Sequence, residues 1–248
     1  RRFAALMKRD AGRSAALLTR ETSKPIAQAL NEVHALQGRL EFFLKETPAL
    51  LAPEAVRDAG GTHEVVSQEP LGVVLNISAW NYPYFVGSNV FIPALLTGNA
   101  VLYKPSACAA ATGGNIRRLL LEAGVPAGVF QLLQGDGRVG AWALEETVDA
   151  VFFTGSNATG LKVAAAAAAR LVKCQLELGG KDPVYVAADV DPAKAAPAVA
   201  DGAFYNAGQS CCAVERVYVH EKVYDRFLET FVATVKGFKV GDPAAPPT

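Results

Sequence analysis

Residues 71–105, LGVVLNISAWNYPYFVGSNVFIPALLTGNAVLYKP, decide the fold. No charged residue occurs from Pro70 to Tyr103, a run long enough to span a bilayer. Asn76, Asn81, Pro83, Asn89, Pro93, Gly98 and Asn99 interrupt it, and a lipid-exposed turn would leave backbone groups unpaired. The stretch therefore reads as the buried centre of a soluble domain: a strand at Leu71–Ser78, a helix at Val86–Leu96 and a strand at Ala100–Tyr103.

The alternation continues outward. A helix is expected at Ala109–Ala123, a strand at Val129–Leu133 and a helix at Val139–Glu145. Then come a strand at Asp149–Phe153, a helix at Asn157–Arg170 and a strand at Lys173–Leu178. Apolar strands alternating with helices imply a parallel sheet covered on both faces, the outline of a doubly wound α/β cofactor-binding domain over 71–178. Upstream, Leu6, Leu17, Leu18, Ile26, Leu30, Val33 and Leu40 recur near helical spacing, so 1–50 reads as helices belonging to that domain. Pro53, Gly60 and Gly61 mark turns in 51–70, with an exposed strand at Thr62–Ser67. After Gly179-Gly180 the pattern restarts: strand Pro183–Ala187, helix Pro192–Asn206, strand Arg216–His220, helix Lys222–Lys236 and a Pro/Ala tail. With too few elements to close a core alone, 179–248 reads as the start of a truncated second α/β domain.

Composition narrows the function classes. Formal charge balances to zero without a basic run, which leaves no electrostatic footprint for nucleic acid or an anionic membrane. The cysteines stand at 108, 174, 211 and 212 without a CxxC, and the histidines at 34, 63 and 220 are isolated, so no metal site is legible. Adjacent Cys211 and Cys212 strain disulfide geometry, which fits a reducing compartment, the cytoplasm or an organelle lumen. The chain opens Arg1-Arg2-Phe3 inside an amphipathic helix with no initiator methionine or targeting segment, as a processed or partial chain would.

The residues that carry chemistry gather at strand ends. Phe204 to Cys212 follows a helix, and Gly208 there lets the chain turn and present Cys211 in a cleft, where a thiolate adds to a carbonyl. Glu177 ends an apolar strand before two glycines, where burial would raise its pKa toward that of a general base. Phe153-Thr154-Gly155-Ser156-Asn157 runs from strand into helix; Ser156 caps it, and the free N–H groups suit a phosphate, although this is not GxGxxG. Lys104-Pro105-Ser106 ends a strand with a cation suited to ribose hydroxyls or phosphate. In Trp80-Asn81-Tyr82-Pro83 the Asn81 amide can donate to an oxyanion and Trp80 supplies an apolar wall. Each has an ordinary alternative: Cys211 as a core thiol, Glu177 as a solvated acid or a partner for Lys181, Ser156 as a plain helix cap, Lys104 as a surface lysine, Asn81 as a turn residue. All fall at the C-terminal ends of strands or on the loops that follow, where an open α/β sheet binds its ligand.

Together these segments closely resemble the aldehyde dehydrogenase superfamily, in its NAD(P)-dependent branch that makes free acids, over essentially the whole chain. Glu177-Leu178-Gly179-Gly180-Lys181 resembles its glutamate signature and Phe204–Cys212 its cysteine signature. The resemblance implies Cys211 as nucleophile, Glu177 as the base for deacylation and Asn81 as oxyanion donor. It implies a cofactor, NAD or NADP, held by Ile77, Trp80, Lys104, Ser106, Ala107, Gly137, Gly155, Ser156, Leu178 and Gly179. The partner it implies is a small-molecule aldehyde, with Tyr82, Tyr84, Phe85 and Ser210 near its path. Lys24-Pro25-Ile26 is a softer match, to succinate-semialdehyde-like members. Ala107 stands where NAD-preferring members often carry a glutamate, so NADP is expected to be tolerated. The 51–70 segment resembles part of an oligomerisation element, which implies a homodimer or homotetramer for the full-length protein. The family's N-terminal segment, its Glu-x-Phe-Gly-Pro motif and its C-terminal strand are not in these 248 residues, so the chain is expected to be a fragment that need not turn over alone. Two rivals are a CoA-acylating relative, against which Glu177 speaks, and an inactive binding or structural protein on the same scaffold.

Overall fold

The computed structural model describes residues 1–245; residues 246–248, the end of the Pro/Ala tail, lie outside the described residues. Helices α1 (Arg2–Arg9), α2 (Ala11–Thr22) and α3 (Ile26–Leu50) lead the chain. A hairpin follows, β1 (Glu54–Ala59) antiparallel to β2 (Thr62–Val66), turning through Gly60 and Gly61 at φ 61° and 79°. Two successive residues at positive φ make the tight turn that matches strand twist. The sequence reading has one strand here; β1 is the addition, and it escapes notice because every residue of both strands is exposed.

The alternating region forms β3 (Val73–Ser78), α4 (Pro83–Leu96), β4 (Ala100–Pro105), α5 (Ala110–Glu122), β5 (Phe130–Leu132), α6 (Gly137–Glu145), β6 (Ala150–Gly155), α7 (Asn157–Ala168) and β7 (Lys173–Leu178). The strands make one parallel sheet in the order β5-β4-β3-β6-β7. Side chains alternate between faces along each strand. Val74, Val101, Tyr103 and Ala150 pack on one face with Met7, Leu18, Val33, Leu36, Phe91 and Leu119 from the first five helices. Leu75, Val151 and Phe153 pack on the other with Ala143 and Val163 from α6 and α7. Each of the larger side chains contributes about 1.5–3 kcal/mol on burial. The order reverses direction at β3, so α4 leaves β3 across one face and α7 leaves β6 across the other. This is the switch point of a doubly wound sheet, where a crevice opens beyond the strand ends.

Beyond β7 a separate parallel pair, β8 (Asp182–Val186) and β9 (Val214–Val219), carries α8 (Pro192–Phe204) and α9 (Tyr224–Lys236). Asp191 caps α8 by accepting the Ala193 N–H at 3.1 Å, and Pro192 opens the helix where its missing N–H costs nothing. Val186, Ala196, Val199 and Phe227 form its small core. Among the described residues no helix is long and apolar enough to cross a membrane.

Candidate active site

The turn Trp80-Asn81-Tyr82 joins β3 to α4. No local side chain caps α4; Glu32, from α3, does so instead. Its Oε1 accepts the backbone N–H groups of Tyr84 at 2.9 Å and Phe85 at 3.2 Å, two of the free donors of the first turn, where the helix dipole favours an anion. Its other oxygen pairs with Lys24, and both side chains are buried. The Lys24 ammonium also lies 3.6 Å from the centroid of the Tyr82 ring. Burial pushes the Lys24 pKa down and the Glu32 pKa up, each opposed by its partner. Tyr84, expected near the aldehyde path, lies elsewhere. It is wholly buried, its hydroxyl donating to the Ser14 carbonyl at 3.3 Å and accepting from Asn115 Nδ2 at 2.9 Å. As the second residue of α4 it faces the helix layer, whereas Tyr82 and Phe85 stay half-buried.

The cysteine loop docks on this turn. Asn206 Nδ2 donates to the Asn81 carbonyl at 3.1 Å and to the Gln209 carbonyl at 2.9 Å. Trp80 Nε1 donates to Gln209 Oε1 at 3.2 Å. The Asn81 side-chain amide makes no hydrogen bond among the described residues; only its backbone carbonyl is engaged. Gly208, at φ 75°, makes the expected turn, but Asn206 and Ala207 share its left-handed conformation at φ 54°. Cys211 and Cys212 are both exposed. Partial desolvation of its sulfur, with Cys212 beside it, pushes the Cys211 thiol up. Hydrogen bonds with the Ser210 hydroxyl at 3.4 Å and the Tyr205 hydroxyl at 3.3 Å pull the Cys212 thiol down. Neither Tyr205 nor Cys212 has a role in the sequence reading.

Glu177 is the penultimate residue of β7, opposite Thr154 in β6. Its expected burial is not found: β7 is the edge of the sheet, and the side chain is exposed with Gln175 Nε2 at 3.4 Å. Lys181 pairs with Glu215 instead of Glu177. The Gly179-Gly180 link brings the strand end beside the cysteine loop, since a Cβ on Gly180 would lie 3.7 Å from the Cys211 carbonyl oxygen.

A cleft of about 640 Å³ opens beyond β3, β4 and β6, in the range of small-molecule sites. It gathers Ile77, Trp80, Lys104, Ser106, Gly137, Gly155 and Ser156; Thr159, Lys162 and Gly140, which the sequence reading passes over, line it too. Ala107, Leu178 and Gly179 are not in its lining: Ala107 is exposed on the turn after β4, Leu178 is half-buried against Gly160, and Gly179 is exposed. Ser156 caps α7 by accepting the Thr159 N–H at 3.3 Å, and Ser106 accepts the Cys108 N–H at 3.2 Å. Lys104 is only 5% exposed. It makes no hydrogen bond or ion pair among the described residues, and burial lowers its pKa against the pull of Asp136. A buried amine without a partner at the wall of a cleft suits a ligand's hydroxyl or phosphate oxygens.

The model of the aldehyde dehydrogenase family matches residues 1–248. The chain is 36% identical over 230 residues to the D-glyceraldehyde dehydrogenase (NADP(+)) of Thermoplasma acidophilum, covering 92% of this chain and 46% of that protein. It is 40% identical over 234 residues to the alpha-ketoglutaric semialdehyde dehydrogenase of Bacillus subtilis, covering 92% and 47%. A solved 3,6-anhydro-L-galactose dehydrogenase in complex with NAP superposes with a TM-score of 0.93 at 35% identity, over 99% of this chain and 52% of that one. The chain thus spans about half the length of the relatives it matches.

Proposed function

The chain belongs to the aldehyde dehydrogenase family, and on that premise we propose that it carries the cofactor cleft and the nucleophile of an enzyme oxidising an aldehyde to a carboxylic acid with NAD or NADP. One observation carries the reading. The loop bearing Cys211 is hydrogen-bonded onto the turn bearing Asn81, at the end of the strand whose next residues wall the cleft.

Lys104 and Ser106 would hold the ribose side of the cofactor, the N-terminus of α7 with Gly155 and Ser156 its pyrophosphate, and Ile77 and Trp80 its flanks. When bound, the nicotinamide ring supplies the acceptor for a hydride. The Cys211 thiolate adds to the aldehyde carbon, and the Asn81 amide with a backbone N–H at the cysteine holds the oxygen that becomes negative. Loss of the hydride re-forms the carbonyl as a thioester on Cys211. Glu177 takes a proton from water as it attacks that carbonyl, the carbon–sulfur bond breaks, and acid and thiolate separate. Glu177 favours water over a CoA thiol as the acyl acceptor.

The test uses the complete protein. Cys211→Ala abolishes acid formation, and Glu177→Gln still acylates but turns over slowly. Full turnover by the Glu177 variant overturns the assignment of the base. NADP is tolerated, because no carboxylate at position 107 repels a 2′-phosphate; a preference for NAD above about a hundredfold overturns this. The hairpin supports a homodimer or homotetramer, since a lone two-stranded ribbon is marginal in water and this one is exposed throughout.

A further inference from the structure

The nucleophile loop is held from three directions by groups that the reaction itself does not use. Asn206 is 1% exposed. Its Nδ2 bridges the Asn81 and Gln209 carbonyls, and its backbone N–H donates to Gln28 Oε1 of α3 at 2.7 Å. Gln209 accepts from Trp80 on one side, and its Nε2 donates to the Thr22 carbonyl, at the end of α2, at 3.1 Å. Between these anchors Asn206, Ala207 and Gly208 run successively in the left-handed region. Non-glycine residues avoid that conformation, and it persists where surroundings over-determine it. The reversal turns residues 210–212 back toward Gly180 and the end of β7.

We propose that Asn206 and Gln209 are positioning residues for the dehydrogenase reaction: their amides fix the nucleophile loop against the oxyanion turn and the tryptophan wall of the cleft. The assignment rests on the reading of Cys211 and Asn81 given above. The Asn206 amide ties the loop to the Asn81 turn and to its own Gln209 carbonyl, and the Gln209 amide ties it to Trp80 and Thr22; such directional bonds set the distance between sulfur and oxyanion donor more tightly than packing alone. Displacing one reacting group by about 1 Å costs on the order of a hundredfold in rate.

The experiment is done in the complete protein with Asn206→Gly, Gln209→Met and Cys211→Ala. Glycine keeps the left-handed backbone at 206 and deletes only the amide; methionine keeps the volume at 209 and deletes donor and acceptor. Steady-state kinetics, equilibrium NAD(P) binding and the rate of Cys211 alkylation by iodoacetamide, resolved by peptide mass spectrometry, are read together. Each positioning variant is expected to lose about a hundredfold in kcat. KM for the aldehyde and the NAD(P) dissociation constant stay within about threefold, which a general loss of structure would not spare. The ratio of Cys211 to Cys212 alkylation changes by at least about fivefold, because it reports the loop directly. Should Asn206→Gly fail to fold, Gln209→Met carries the same expectations. The proposal is overturned if kcat stays within about threefold while Cys211→Ala is inactive. It is equally overturned if cofactor affinity falls in step with kcat. Activity in Cys211→Ala overturns the nucleophile assignment and the positioning role with it.

Discussion

Replacing Glu32 with Gln strands a charge that the structure gives no other anion. Lys24 has no accessible surface, and the Tyr82 ring, 3.6 Å from the ammonium, offers it no counter-charge. Breaking a buried pair by removing one partner costs about 3–5 kcal/mol, and the lysine sets its own ceiling. It can shed its proton instead of staying charged. From the ordinary lysine value of 10.5, neutrality at pH 7 costs about 4.8 kcal/mol at about 1.36 kcal/mol per pH unit. At pH 9 the same step costs about 2 kcal/mol. The sign follows from proton binding: the buried lysine of the variant loses its proton at lower pH than the unfolded chain does. The unfolded state then binds more protons, and the stability of the variant rises with pH up to the ordinary lysine value. Urea unfolding followed by tryptophan fluorescence at pH 7, 8 and 9 should show the gap between parent and Glu32→Gln closing by about 1.4 kcal/mol per pH unit. Adding Lys24→Met should recover much of the loss, because the two sites are coupled. A gap below about 1 kcal/mol at every pH refutes the reasoning, since a solvated pair behaves that way.

Three further outcomes follow. Ala107→Glu in the complete protein weakens NADP binding by about tenfold or more relative to NAD, through repulsion of the 2′-phosphate, and competitive titration of the two cofactors measures it. Gly87→Ala lowers stability by about 1–3 kcal/mol in urea unfolding, because the new Cβ would meet the buried Tyr103 hydroxyl at 2.9 Å and the Phe91 ring at 3.2 Å. Without cofactor, iodoacetamide near neutral pH labels Cys212 ahead of Cys211, since Cys212 is the thiol pulled toward its anion; Ser210→Ala narrows the difference in peptide mass spectra.

The sheet is legible in the sequence because strands buried on both faces leave runs such as Val73-Val74-Leu75 and Val151-Phe152-Phe153, and because Ser156 and Pro192 mark helix starts; α4 begins at Pro83, three residues before the expected Val86. β1 is not legible: burial imprints a pattern, and Glu54–Ala59 is buried nowhere. The cleft residues can be found from their place at strand ends, which topology converts into neighbourhood. Glu177 shows the limit of that inference. An acid at a strand end is buried only if something covers it, and β7 is an edge. Asn206 and Gln209 belong to the segment that reads as a cysteine signature, yet their partners at 22, 28, 80 and 81 are remote in the chain. Their role therefore depends on tertiary contacts that periodicity does not encode. Lys24 and Glu32 stand eight residues apart, a spacing that says nothing of burial until α4 lies over them.

The bonds from Thr22 and Gln28 to the cysteine loop bear on how this family can be recombined. A chimera that exchanges the leading helices but keeps the host's 204–212 segment would inherit a bracket cut for a different loop. The leading helices and the thiol segment of one parent would need to travel together, although 178 and 187 residues separate the bonded positions along the chain.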